Sequence, residues 1–193
     1  MIHPMVNADG PSATSESLCR QCTLCCSGVL FVDVHLSSPT ESSRLEKEGV
    51  ELEWDQEESF LPQPCQCLNQ QGDCRVYPQR PGMCAAFECS LLKDWQRGDL
   101  STYQTLSRIK EARNQVASVE SLLDKLGQRD VSMPLFFRTE SVLSQPWDLE
   151  GQADVNQWRD QLFDQSASLS EFLDRYFLRE LDPEDDPLDE SSI

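Results

Sequence analysis

The chain has 193 residues, 34 acidic against 16 basic, and a formal net charge of -18. That length buries a core without staples, as one domain or one and a half. Phosphate binding relies on Lys and Arg that displace counterions, so this charge argues against nucleic acid and against an anionic membrane surface, and reads as solubility.

Residues 1–16 are polar, without periodicity, and read as a flexible lead. Met1-Ile2-His3-Pro4-Met5 has no basic run ahead of an apolar stretch, and nothing approaches the roughly 18 apolar residues of a membrane span. A soluble protein of a reducing compartment is expected, placed in the cytoplasm. There, dense cysteine reads as metal-binding or catalytic rather than as a disulfide scaffold.

Cys19-Arg20-Gln21-Cys22-Thr23-Leu24-Cys25-Cys26 carries four thiols in eight residues. A core helix or strand needs no such density, since a buried Cys is only a small hydrophobe. All nine cysteines lie between Cys19 and Cys89, and the odd count fits full disulfide pairing poorly. The neighbours Cys25 and Cys26 point the same way, because a disulfide between them closes a strained ring.

After Ser27-Gly28, the apolar, β-branched run Val29–Leu36 predicts a strand. Ser38-Pro39-Thr40-Glu41 predicts a helix start: Ser38 caps, Pro39 suits the first helical position, Glu41 completes a capping box, and Gly49 stops the helix. Residues 50–62, with Glu51, Glu53, Asp55, Glu57 and Glu58, read as an acidic loop or ragged edge.

Pro64-Cys65-Gln66-Cys67-Leu68 opens the second cysteine block. A turn over 69–73 followed by Cys74-Arg75-Val76-Tyr77 suggests a hairpin with thiols near its base. Pro78 and Pro81 break regularity before Cys84 and Cys89, which about one helical turn plus a residue brings to one site. Tyr77, Arg80 and Pro81 read as structural, fixing the turn that aims Cys84.

Past Cys89 the character changes. Leu91–Trp95 begins helical structure interrupted at Gly98. Residues 101–126 form a long helix, its stripe of Leu106, Ile109, Val116, Val119, Leu123 and Leu126 broken at Arg113. A helical pair follows Pro146, the first marked by Trp158, Leu162 and Phe163, the second by Leu169, Phe172, Leu173, Tyr176 and Phe177, with Ser168 or Ser170 as cap. The last aromatic stripe reads as core or as a surface for a protein partner. From Asp182 the tail is acidic and Pro-containing and is expected to be disordered.

The fold class expected is therefore α+β. A small cysteine-rich metal-binding domain with a short strand and hairpin covers 17–98, a mainly α-helical region packed on it covers 99–181, and a tail covers 182–193.

A ligand thiol is deprotonated, and gathered thiolates repel unless a cation sits among them. Cys-x2-Cys spacing lets two sulfurs reach one tetrahedral ion, and both Cys19/Cys22 and Cys22/Cys25 have it. The remaining ligands come from Cys65, Cys74, Cys84 and Cys89, pinning the first loop to the hairpin. Eight sulfurs suffice for two four-sulfur sites, a two-metal cluster, or one iron–sulfur cluster with thiols to spare. Sulfur accepts zinc, iron–sulfur and Cu(I) alike. Arg20, Arg75 and Arg80 lie among the thiols, and residues 60–89 hold two Arg against Asp73 and Glu88, so this block is neutral in an acidic chain. Guanidinium groups there offset metal–thiolate charge. His3 and His35, the two histidines, read as surface or packing residues.

The first motif, then Cys65-x-Cys67-Leu68, then Cys74-Arg-Val-Tyr-Pro-Gln-Arg-Pro-Gly-Met-Cys84-Ala-Ala-Phe-Glu-Cys89, resembles the CxxCxxCC or YkgJ-type cysteine-cluster family, described as chelating zinc or iron. The resemblance covers roughly residues 19–92. It implies Cys19, Cys22, Cys25, Cys26, Cys65, Cys74, Cys84 and Cys89 as metal ligands, with Cys67 as the spare thiol, and zinc or iron, an iron–sulfur cluster included, as the cofactor. It extends to flagellin lysine N-methylases, so a cluster-dependent enzyme is one alternative. Against that, no Gly-rich loop offers an adenosyl cradle, Val29 stands where a radical-adenosylmethionine Cys would, and no catalytic constellation stands out. A thiol redox protein using Cys22 and Cys25 is a third reading, and it leaves six of the eight matched thiols unexplained.

Overall fold

The computed structural model describes residues 13–69, 71–146 and 153–179. Its architecture is α+β: a small antiparallel sheet in the N-terminal half and a group of helices that dominates the C-terminal half. The first helix, α1 (Ser15–Cys22), is started by a reciprocal capping box between Thr14 and Ser17 and ended by Thr23 in the left-handed region. The strands are β1 (Asp33–His35), β2 (Glu53–Asp55) and β3 (Glu58–Pro62), in the order β1-β3-β2. Val34 pairs with Leu61, and Trp54 with Ser59.

Two sequence expectations change here. The strand expected over 29–36 shrinks to three residues, because Val29 and Leu30 turn back through amide bonds to the Leu24 carbonyl. The stretch expected as an acidic loop contains the β2–β3 hairpin. Phe60 alternates with the buried Ser59 and Leu61 on β3, while all three residues of β2 are exposed, so acidic side chains cost little on that edge strand.

Helix α2 (Pro39–Lys47) starts as expected, with the Ser38 hydroxyl accepting from the Glu41 amide, and the chain leaves it through Gly49 at φ +77°. The reciprocal half of the capping box is absent. The Glu41 carboxylate instead accepts from the Ser37 amide at 2.9 Å and the Gly82 amide at 2.7 Å. The expected cysteine hairpin is reduced to one bridge between Leu68 and Cys74, followed by a 3-10 turn at Tyr77–Gln79.

Short α3 (Gly82–Ala86) carries Cys84, and α4 (Ser90–Arg97) starts directly after Cys89 and ends at Gly98. Ser101 and Gln104 form the capping box of α5 (Thr102–Lys125). Helix α6 (Leu135–Leu143) lies where no element was expected, and α7 (Ala153–Tyr176) is one continuous helix. Ser168 and Ser170 are therefore interior residues rather than caps. The two apolar sets expected on separate helices share one stripe: Leu162, Leu169, Leu173 and the following Phe177 are buried, while Phe163 faces out. The expected lead and acidic tail lie outside the described residues, apart from 13–16.

Two hydrophobic cores result. Leu36, Leu45, Val50, Leu61 and Cys67 form one under the sheet. The larger joins α5, α6 and α7 through Ile109, Val119, Leu123, Val142, Leu162 and Phe177, and it takes in Leu24 and Leu91 from the cysteine-bearing half. Backbone bonds reinforce that joint: Ser90 donates to the Phe177 carbonyl at 3.0 Å and Leu135 to the Gly28 carbonyl at 2.9 Å. Gly28 has φ +74°, and a Cβ there would lie 3.2 Å from both Pro64 and Pro134, so the crossing requires glycine. Among the described residues, no helix is long and apolar enough to cross a membrane.

Candidate metal centre

The first two thiols stand on a helix, not on a loop. Cys19 and Cys22 occupy the last turn of α1, three residues apart and hence on one face. Leu18 and Leu24, both 2 % exposed, anchor the motif on either side. Thr23, at φ 59°, ends the helix while its amide donates to the Cys19 carbonyl at 3.0 Å. A β-branched residue in this region is strained by roughly 1 kcal/mol. The following turn, with the Cys26 and Ser27 amides both donating to the Thr23 carbonyl, swings Cys25 and Cys26 back beside the helix end.

The second block closes onto this turn. The Cys65 amide donates to the Cys26 carbonyl at 2.8 Å. Arg20 pairs with Asp73 at 2.6 Å, and Gly72, at φ +83°, passes so near Thr23 that a Cβ would lie 3.2 Å from its methyl group. The Glu41 carboxylate holds the start of α3, and with it Cys84. Cys89 is the N-cap residue of α4. All nine cysteines are free thiols and line one cavity of about 340 Å³, whose wall is otherwise largely apolar and includes Leu18, Leu61, Leu91 and Ile109. The segments therefore converge as expected from the sequence. Among the described residues, no three Cys, His, Asp or Glu side chains are gathered tightly enough to hold an ion as they stand. The thiols ring the cavity rather than meeting at a point.

Burial is the main influence on these thiols. It pushes Cys22 up to about 12, with Cys89 and Cys19 adding to the rise and the Leu24 amide opposing it through a hydrogen bond. Burial pushes Cys26 up to about 11, reinforced first by Cys84 and then by Cys74, and Cys84 up to about 11, reinforced by Cys74. Cys25 rises further by burial and by the neighbouring Cys22 and Cys89. Cys19, Cys74 and Cys89 rise for the same first reason. Cys65 moves down, because the Cys67 thiol donates a hydrogen bond to it, and Cys67 itself is held protonated by that bond. A cation reverses the balance, since it supplies the charge that burial denies a thiolate.

Cations of the protein stand ready around the ring. Arg80 lies over the Tyr77 ring, 4.1 Å from its centroid, and donates to the carbonyls of Tyr77 at 3.3 Å and Cys84 at 3.4 Å. Among the described residues it has no carboxylate partner, and its charge acts against the rise at Cys19, Cys74 and Cys84. Arg75 donates to the Glu48 carbonyl and lies near Cys67 and Cys74. Arg113, the break in the α5 stripe, reaches across 92 residues to donate to the Gln21 carbonyl at 2.8 Å, beside Cys22. Sequence reasoning passed over Arg113 and misread Glu41. The interrupted stripe was the only local signal for Arg113, and the Glu41–Gly82 contact has none. His35 also borders the cavity, but it stacks on Phe60 with centroids 5.3 Å apart, in keeping with a packing role.

Soft sulfur donors, free of disulfides and with guanidinium groups behind them, suit zinc, iron or an iron–sulfur cluster. Fold and site together define a cysteine-cluster protein, in which two thiol-bearing segments close over an apolar cavity. The chain belongs to the CxxCxxCC family, described as a putative zinc- or iron-chelating domain, whose model matches residues 18–115. The match extends into α5 and includes Arg113. No curated protein and no solved structure matches the chain.

Proposed function

We propose that this protein holds zinc or iron through the thiolates of Cys19, Cys22, Cys25, Cys26, Cys65, Cys74, Cys84 and Cys89, and that Cys67 stays outside the ligand set. The observation that carries the reading is the shared cavity: thiols from segments some forty residues apart in sequence line one space, joined by the Cys65–Cys26 backbone bond. Packing alone calls for no such number of thiols around one cavity, and a bound cation gives eight of the nine a purpose. The spare role of Cys67 rests on its place in the sheet core, 1 % exposed, where its thiol serves Cys65 as a donor.

Metal on this site is also a cross-link. It ties the end of α1 to α3 and α4 and closes a long loop of chain, which restricts the unfolded state. This reading places the protein in a reducing compartment such as the cytoplasm, where the thiols stay available to metal.

The test is metal analysis with electronic spectra on the full chain purified away from oxygen. Zinc or iron in stoichiometric amount, with the eight thiols shielded from a thiol reagent until a chelator is added, is the expected result. A brown protein with sulfur-to-iron charge-transfer bands assigns an iron–sulfur centre, and a colourless protein with bound zinc assigns zinc–thiolate coordination. Native protein whose nine thiols all react freely, with no metal found, overturns the proposal.

A further inference from the structure

The ring of thiols is not evenly tied into the molecule. Cys22 and Cys89 pack against the core of α5, α6 and α7, whereas Cys65 and Cys74, with Cys67, pack against the core under the sheet. The adjacent residues Cys25 and Cys26 sit at the division. Cys25 follows Leu24, which is itself part of the helical core, and Cys26 gives its carbonyl to Cys65 on the sheet side. Cys19 shares the last turn of α1 with Cys22, and Cys84 is tethered through Arg80 to the turn that follows Cys74.

We infer that the cluster is two metal centres, one held by Cys19, Cys22, Cys25 and Cys89 against the helical core and the other by Cys26, Cys65, Cys74 and Cys84 against the sheet core. The inference rests on the proposed function and adds its stoichiometry and ligand partition. Each set supplies four sulfurs, the number a tetrahedral zinc takes in a structural site. Each set also draws on both sides of the fold's long connection, so each ion would fasten a different pair of elements: α1 to α4 in one case, and the first turn to the second block and α3 in the other. Arg80, which donates to the carbonyls of Tyr77 and Cys84, stands beside the second set. Closing either set on an ion takes side-chain movement into the cavity and releases the thiol protons to solvent.

The experiment loads the metal-free full chain with Zn²⁺ or Co²⁺ under reducing, oxygen-free conditions and counts ions by native mass spectrometry, with the Co²⁺ absorption bands as a second readout. Wild type is expected to take two ions. Cys22→Ser and Cys74→Ser are each expected to keep one. The pair Cys22→Ser with Cys89→Ser still keeps one, because both fall in the same set, and the pair Cys22→Ser with Cys74→Ser keeps none. A single variant that loses every ion, or two doubles that behave alike, overturns the partition in favour of one shared centre. A measurement that needs no variant is cadmium resonance of the wild type: two groups of all-sulfur signals are expected, and one group with a single bound ion overturns the inference. Wild type that binds neither Zn²⁺ nor Co²⁺, nor iron, fails the proposed function itself, which distinguishes that failure from a wrong partition.

Discussion

Arg80 shows how one side chain tunes a thiolate centre without being a ligand. Its guanidinium is fixed by the Tyr77 ring and by two carbonyls, and it carries a positive charge among Cys19, Cys74 and Cys84 with no carboxylate partner among the described residues. Four thiolates around a dication leave net negative charge, which such a group offsets. Arg80→Gln is expected to weaken metal binding by about tenfold or more, the range usual for groups behind the ligands. Arg80→Lys, which keeps the charge and loses the planar fork, is expected to recover part of it. Competition with a chromophoric chelator measures both, and unchanged affinity in Arg80→Gln would leave the residue a purely structural role. At Cys67 the opposite outcome is expected. Cys67→Ser retains a donor toward Cys65 and keeps full metal content by elemental analysis, while a large loss would put Cys67 among the ligands.

At the scale of elements, legibility followed locality. Helix α5 was readable because its apolar stripe lies within the segment, and α2 was readable from Ser38 and Pro39 for the same reason. The β2–β3 hairpin was not, because its exposed strand carries the charges that usually mark a loop and gains its place only by pairing with β3. Helix α7 was split because an exposed Phe163 beside the buried Leu162 obscured its periodicity. The convergence of the thiol-bearing segments on one cavity was legible, since density and spacing are chemistry written in sequence. Their anchors were not: Glu41 at Gly82 and Arg113 at Gln21 span 41 and 92 residues. Arg113→Ala tests the second anchor. Loss of one charge-assisted bond at a half-open site costs about 1 kcal/mol, read as a lower denaturant midpoint. Faster amide exchange is expected over Thr23–Cys26, and unchanged exchange there would show that α5 does not hold the motif.

For the whole molecule, metal and protons compete for the same sulfurs, and the sign of the competition is fixed by the direction of the shifts. Without metal, the folded state holds thiol protons above the ordinary value of 9.0, up to about 11 at Cys26 and Cys84 and about 12 at Cys22. A raised folded pKa means that the folded state binds more protons than the unfolded chain between those values. The metal-free protein therefore keeps this stability below pH 9 and loses it as pH climbs toward 12. With metal bound the thiols are already deprotonated, so the alkaline loss is expected to shrink, and affinity rises with pH as protons are released on binding. Unfolding midpoints of the two forms across that range, with metal affinities at mildly acidic and mildly basic pH, check both arms. Equal alkaline sensitivity with and without metal would mean that the buried sulfurs are not the ligands. Removal of the metal also has a spatial signature. The core of α5–α7 is apolar and draws most of its buried residues from those helices, so chelation is expected to raise amide exchange first between residues 19 and 92. Within the helical half, the end of α7 at Phe177 is expected to follow before the middle of α5, because its carbonyl accepts from the amide of Ser90, the residue after Cys89.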